Sequence, residues 1–429
     1  MIKYRVLSIL IVALAIFGNK SNSQEIHPAG LQVFIGGTAD IRPIPYYYMN
    51  TTERLVISFD LLNYNNDNIY YNVYRQQAYG EAPLQQIQYL KNPQIVEINN
   101  GASSMSTRTP YVHYEIAIPN AQVQPILSGD YVVEFYKDRY QSQGEGFMTI
   151  PFTIVESQTT VDIHFPFYAV GVDSDKYQQV NISVSGQSDY INNPLNNNIS
   201  IRVWQNYAQR GINLTQPSQI LNNKVVFSDD KGAQFPGGNE YFHFDLLYPE
   251  GGGNIGVDSI RIYPNYYKAF LPISHTRLDK PYLFEQDMDG LYRIHTASFT
   301  SQSIHTDGEY ELVKFSLNCN DIPDFNPQKH HIYLIGEAFS PWGKEMQYDP
   351  KSGLMTYLMM IKQGYLDYAF VLRDDNYKEI NLGGDHRQTT NTYTALVYVN
   401  NPMDLSYKAI GAATLRRTMK NSTEFGGNN

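Results

Sequence analysis

From His331 to Val399 the chain alternates short apolar runs with turn residues, and that spacing admits short strands and little else. The runs are Ile332, Leu334 and Phe339; Leu354 to Ile361; and Leu366, Tyr368, Phe370 and Leu372. Asp349-Pro350, Ser352-Gly353 and Gln363-Gly364 separate them, and Thr389 to Val399 adds another strand-like run. A meander of β-strands is expected here, because every second side chain of such a run shares a face.

The same pattern recurs upstream. Leu55, Ile57 and Phe59 share a face, as do Tyr114, Ile116 and Ile118; Tyr131, Val133 and Phe135; and Val180, Ile182 and Val184. Phe242, Phe244 and Leu246 point away from His243 and Asp245. Aromatic residues make up 14% of the chain, with 36 tyrosines, while charged residues make up only 17%. Tyrosine suits a half-buried pleated surface. The expected fold class is all-β, in tandem immunoglobulin-like β-sandwich domains. A chain of 429 residues exceeds what one core usually fills. Polar patches and turn clusters divide it into a signal peptide over 1–23, an N-terminal sandwich over 24–157, a middle sandwich over 158–272, a C-terminal sandwich over 273–409 and a polar tail over 410–429.

Lys3 and Arg5 precede the apolar run Val6 to Phe17, which is shorter than the roughly 20 residues of a membrane helix. Ser21-Asn22-Ser23 supplies the small-x-small pattern of a signal-peptidase site, so the mature chain is expected to begin at Gln24. No later run has the length of a transmembrane segment, and a soluble exported protein follows. With a formal net charge of −10, such a chain is a poor match for nucleic acid, which needs clustered Lys and Arg. Arg416, Arg417 and Lys420 form the one basic knot and read as a solvated end. Cys319 is the sole cysteine, so no internal disulfide can form.

Glu285 to Gly290 begins like a calcium loop, but its twelfth position would be Thr296, and the acids read instead as an Asp-Gly hairpin between Tyr282-Leu283-Phe284 and Leu291 to Ile294. Gly251-Gly252-Gly253 reads as a hairpin, not a phosphate loop, since no helical run follows. His330 and His331 are adjacent on a strand and point to opposite faces, and His243 reads as a sheet residue. Neither a GxSxG elbow, an HExxH pair nor a Walker loop is present. The expectation is no catalytic residue, no metal and no cofactor. Aromatics beside turns remain: Trp342, Tyr365 and Tyr377 are the candidates for contact with a partner, the competing expectation for Trp342 being that it closes a core.

Two resemblances rest on these residues. The third segment resembles early-set β-sandwiches related to glycogen-binding modules, through Gly336-Glu-Ala-Phe339-Ser-Pro-Trp342, Met346-Gln-Tyr348-Asp349, Gly353 and Gly364 to Phe370. Trp342 and Tyr377 match the sugar-stacking aromatics of those modules, while Ala369 stands where they carry lysine. A carbohydrate-binding multi-domain protein is the alternative this implies. Over most of its length the chain resembles the plug protein family of the type IX secretion system. The matching stretches are Leu55 to Leu62, Thr109 to Asn120, Ser128 to Tyr131, Trp204-Gln205-Asn206, Gly238 to Asp245, Ile361 to Tyr368 and Thr389 to Tyr393. Tyr74 to Tyr79 replaces the His-Cys-Asn-x-Asp-Trp element frequent in that family, and Gly146-Phe147 its Arg-Phe pair. The resemblance implies a non-enzymatic periplasmic subunit, associated with the outer membrane through a protein partner, that occludes the periplasmic opening of the outer-membrane translocon barrel.

Overall fold

Strands dominate the computed structural model, and its helices are single turns. It describes residues 28–64, 68–77, 82–192, 198–208, 211–250, 252–296, 303–339, 342–374, 379–401, 404–418 and 422–423. The expected signal peptide, the turn at Asn65-Asn66-Asp67, Gly251, Tyr377 and the tail beyond Thr423 lie outside the described residues.

The first unit packs two sheets face to face. One orders Pro28–Gly36, Arg54–Leu62, Tyr111–Ile118 and Ala102–Ser103; the other orders Tyr46–Tyr48, Met148–Val155, Gly129–Tyr136, Ile69–Arg75 and Val96–Ile98. Leu55, Ile57, Phe59, Tyr114, Ile118, Val133 and Phe135 meet in one core, as their alternation predicts. Phe59 sits at its centre, its ring centroid 5.8 Å from Tyr114 and 5.1 Å from Phe135. Burying each such ring contributes on the order of 2 to 3 kcal/mol.

The second unit begins with Thr160–Pro166 and Tyr177–Ser185, joined by Lys224–Phe227, Gln219–Leu221 and Ala233–Pro236. Its other sheet orders Ile212–Leu214, Asn198–Gln205, Asn391–Asn400 and Lys408–Arg417. Asn391–Asn400 therefore lies antiparallel to Asn198–Gln205, with Ile201 opposite Val397. Tyr393, Ala395, Val397 and Ile410 share one core with Val180, Ile182 and Phe227.

Between these two halves the chain builds the third unit. One of its sheets is centred on Gly364–Asp374, which pairs with Phe242–Leu246, Tyr292–Ile294, His330–Ile335 and Glu379–Asn381. The facing sheet orders Ser259–Ile262, Tyr267–Phe270, Tyr310–Asn318, Leu354–Lys362 and Gln347–Asp349. Phe244, Phe315, Phe339, Tyr368 and Phe370 fill the core.

This corrects the expected organisation in three places. The divide expected near Pro272 does not separate two cores, since Phe244 and Leu246 already belong to the third. The meander is split, because Leu354–Lys362 lies in the opposite sheet from Gly364–Asp374, and the run ending at Val399 returns to the second unit. The tail expected from residue 410 is an edge strand as far as Arg417, and Ser422–Thr423 pairs in parallel with Phe165 and Pro166. Alternation marks where a strand is; its partner is chosen by tertiary packing, which period-2 patterning does not encode.

Candidate functional site

Alternation that sends Phe59 and Tyr114 into the first core sends Asp60, His113 and Glu115 to the opposite face of the same sheet. Asp60 and His113 are direct cross-strand partners. The third unit covers much of this face. Asp60, only 1% exposed, accepts hydrogen bonds from Lys362 Nζ at 2.6 Å, the Tyr310 hydroxyl at 2.8 Å and His113 Nδ1 at 2.7 Å. The Lys362 ammonium also donates to the His305 carbonyl at 2.8 Å and lies 4.2 Å from the centroid of the Tyr111 ring. Burial pushes the Lys362 pKa down, against the pull of the Asp60 charge. Gly30 has φ +56°, and a Cβ there would overlap the Tyr310 hydroxyl, so glycine is required where the two units close on each other.

Around this ion pair the contact is polar. Gln32 Nε2 donates to the Tyr292 carbonyl at 3.0 Å, and the Tyr111 hydroxyl to the Gly308 carbonyl at 2.9 Å. The Glu309 carboxylate accepts from the backbone of Arg108 at 2.7 Å and of Thr109 at 3.2 Å. Arg108 lies 4.8 Å from the Tyr267 ring centroid and 3.0 Å from Glu250. A cleft of about 360 Å³ opens beside Asp60 and Lys362, with His113, His305, Arg293 and Phe34 in its walls. The His113 and His305 rings lie 4.6 Å apart.

The expected Asp-Gly hairpin is instead a second junction. Leu283 and Phe284 are exposed and form no strand, while Asp287 and Asp289 are each 3% exposed. Arg416 reaches Asp289 at 2.8 Å and Asp287 at 3.4 Å, and the Thr392 hydroxyl donates to Asp289 at 2.6 Å. Buried Glu240 accepts from the Thr390 hydroxyl at 2.9 Å, and Asp367 from the backbone of Met288 at 2.7 Å and Gly290 at 3.1 Å. Burial, then the neighbouring charges of Asp289, Asp367 and Glu240, push the Asp287 carboxyl up to about 8. Arg417, read as part of a solvated end, is 1% exposed and donates to the Arg387 carbonyl at 2.7 Å. Arg416 thus fastens the second unit to the third.

First and second units meet through Tyr46, Val155, Trp204, Tyr398 and Tyr407. Arg75 donates to the Tyr407 carbonyl at 2.6 Å, and the Tyr398 hydroxyl to Asp130 at 2.8 Å. Each unit therefore touches both others through buried polar groups.

Of the aromatics singled out from the sequence, Trp342 is 53% exposed, which excludes it from the core. Tyr365 sits in the central strand of its sheet, half-buried, with its ring 5.6 Å from His243, and burial pushes its phenol up. It is the second residue of Gly364–Asp374 and so stands at a strand end. Tyr377 lies outside the described residues. The pattern His113-x-Glu115 was the signal passed over, since two polar positions on the outer face of a strand look like an ordinary solvent face.

The fold and its junctions define a class: an all-β protein of three sandwiches, the third inserted into the second, with every pair joined by buried polar contacts. Residues 31–156 match the family described as "Type 9 secretion system plug protein 1st domain". Among solved structures, the chain is similar to "a hypothetical protein from Parabacteroides merdae ATCC 43184", with a TM-score of 0.81 and 25% identity, covering 92% of this chain and 98% of that one. No curated protein matches it. Among the described residues, no helix is long and apolar enough to cross a membrane.

Proposed function

We propose that this protein is a non-enzymatic periplasmic plug subunit that binds and occludes the periplasmic opening of the type IX secretion translocon barrel. The observation that carries this reading is the match of residues 31–156 to the plug first domain. The physical form supports it. Blocking a wide pore requires a body that keeps its shape under contact, and three sandwiches fastened pairwise through Asp60, Asp289 and Asp130 make such a body.

Trp342 is the leading contact candidate, since exposed Trp and Tyr supply most interface hot spots. Tyr377 and the half-buried Tyr365 follow. Co-purification from native outer membranes tests the function, and the wild-type protein should bring down a large outer-membrane barrel. The double variant Trp342→Ala with Tyr377→Ala should lose that association. Trp342→Ala alone should change stability by no more than about 0.5 kcal/mol, as exposed positions do. Failure of the wild-type protein to associate with any outer-membrane barrel would overturn the plug reading.

A further inference from the structure

We propose that His113, Glu115 and His305 form a zinc(II) site that staples the first unit to the third. One ligand atom from each of the three residues lies within 4.8 Å of those of the other two. Zinc binds imidazole nitrogen and carboxylate oxygen at about 2.0 to 2.2 Å, so ligand atoms in a tetrahedral set stand roughly 3.3 Å apart. His305 and Glu115 are exposed, and closing the set would need both side chains to turn toward a shared ion.

The backbone prepares the set. His113 and Glu115 are two apart on strand Tyr111–Ile118, so they project from one face, and His305 reaches them from the single helical turn Ile304–Asp307 of the third unit. The observation that favours a metal over a chance cluster is the Asp60 contact. His113 Nδ1 lies 2.7 Å from an Asp60 oxygen, which fixes the ring and leaves Nε2 as the coordinating nitrogen. Zinc-binding histidines commonly give their other N–H to a carboxylate in this way, which sets the tautomer and raises the basicity of the ligand. Lys362, the adjacent cation, is held by Asp60 at 2.6 Å. Two histidines and one glutamate leave a fourth position for water, facing the cleft. The site does not depend on the proposed plug function, since it concerns how two of the units are held together.

The test is zinc chloride alone, titrated into the mature full chain at neutral pH, read by calorimetry and by thermal unfolding. One zinc per chain and a rise of several degrees in Tm are expected. His305→Gln and Glu115→Gln, both at exposed positions, should keep the metal-free Tm and each weaken zinc binding at least about tenfold, the order lost when even an outer partner of a ligand is removed. His275→Gln, at an exposed histidine beside Asp321, should bind as the wild type does. Cobalt(II) in place of zinc should give visible absorption of four-coordinate intensity that His305→Gln abolishes. No stoichiometric binding by the wild type, or undiminished binding by both ligand variants, overturns the site.

Discussion

Lys362 carries its charge into an almost fully buried place, and Asp60 is the reason it can remain there. Both side chains are 1% exposed. Removing one partner of such a pair strands the other, at about 3 to 5 kcal/mol. Lys362→Met should lower stability by that order in urea titration, and adding Asp60→Asn should restore part of it, because the stranded charge is then gone. Glu311 poses the opposite case. It is fully buried, neither oxygen has a hydrogen-bond partner, and burial followed by the Glu309 charge pushes its carboxyl up to about 7. A carboxyl raised above its unfolded value of about 4.3 favours the fold fully below that pH and loses the contribution as pH rises through 7. Asp287, at about 8, acts in the same direction. Calorimetry should therefore show Tm falling between about pH 5 and pH 8.5, and Glu311→Gln should flatten the slope and raise Tm at pH 8 above wild type. A Tm that climbs over this range would contradict both assignments.

At the scale of the element, Lys408–Arg417 is the most instructive strand. It pairs with Asn391–Asn400 along nearly its full length, and Ile410 enters the second core. Truncation after Tyr407 should abolish cooperative unfolding of the second unit, whereas truncation after Thr418, which among the described residues removes only the two-residue strand Ser422–Thr423, should lower Tm slightly; circular dichroism against temperature separates the two. The sequence hid this strand because Gly411-Ala412-Ala413 offers little apolar alternation and Arg416-Arg417 reads as a solvent-facing end. Those arginines are held by an acidic turn and by backbone carbonyls far away in the chain. Strands with strong alternation, such as Arg54–Leu62 and Gly129–Tyr136, were legible because one apolar face is all they need to declare themselves. Local pattern cannot disclose that a polar outer face, such as Asp60 with His113, will be covered by another unit. That is why the candidate site was missed while the core was found.

For the whole molecule, the three junctions predict concerted behaviour. Losing any one unit exposes Asp60, Asp289 or Tyr398 contacts on both of the others, so thermal unfolding should appear as a single transition by tyrosine fluorescence and by circular dichroism. Separate transitions would mean that the units are only loosely associated. The insertion of the third unit has a different consequence, for the order in which the molecule can assemble. The first sandwich has all its strands once Val155 has been made, but Asn198–Gln205 must wait for Asn391–Asn400, and until then one of its edges is an open invitation to aggregation. The intervening segment shortens that wait in space if not in time. Once folded, it holds its own two ends together, with the His386 backbone N–H donating to the Gly238 carbonyl at 2.9 Å and the Thr389 hydroxyl to the same oxygen at 2.8 Å. A long, entropically costly loop becomes a short tether, and the late strands are delivered beside the early ones they complete.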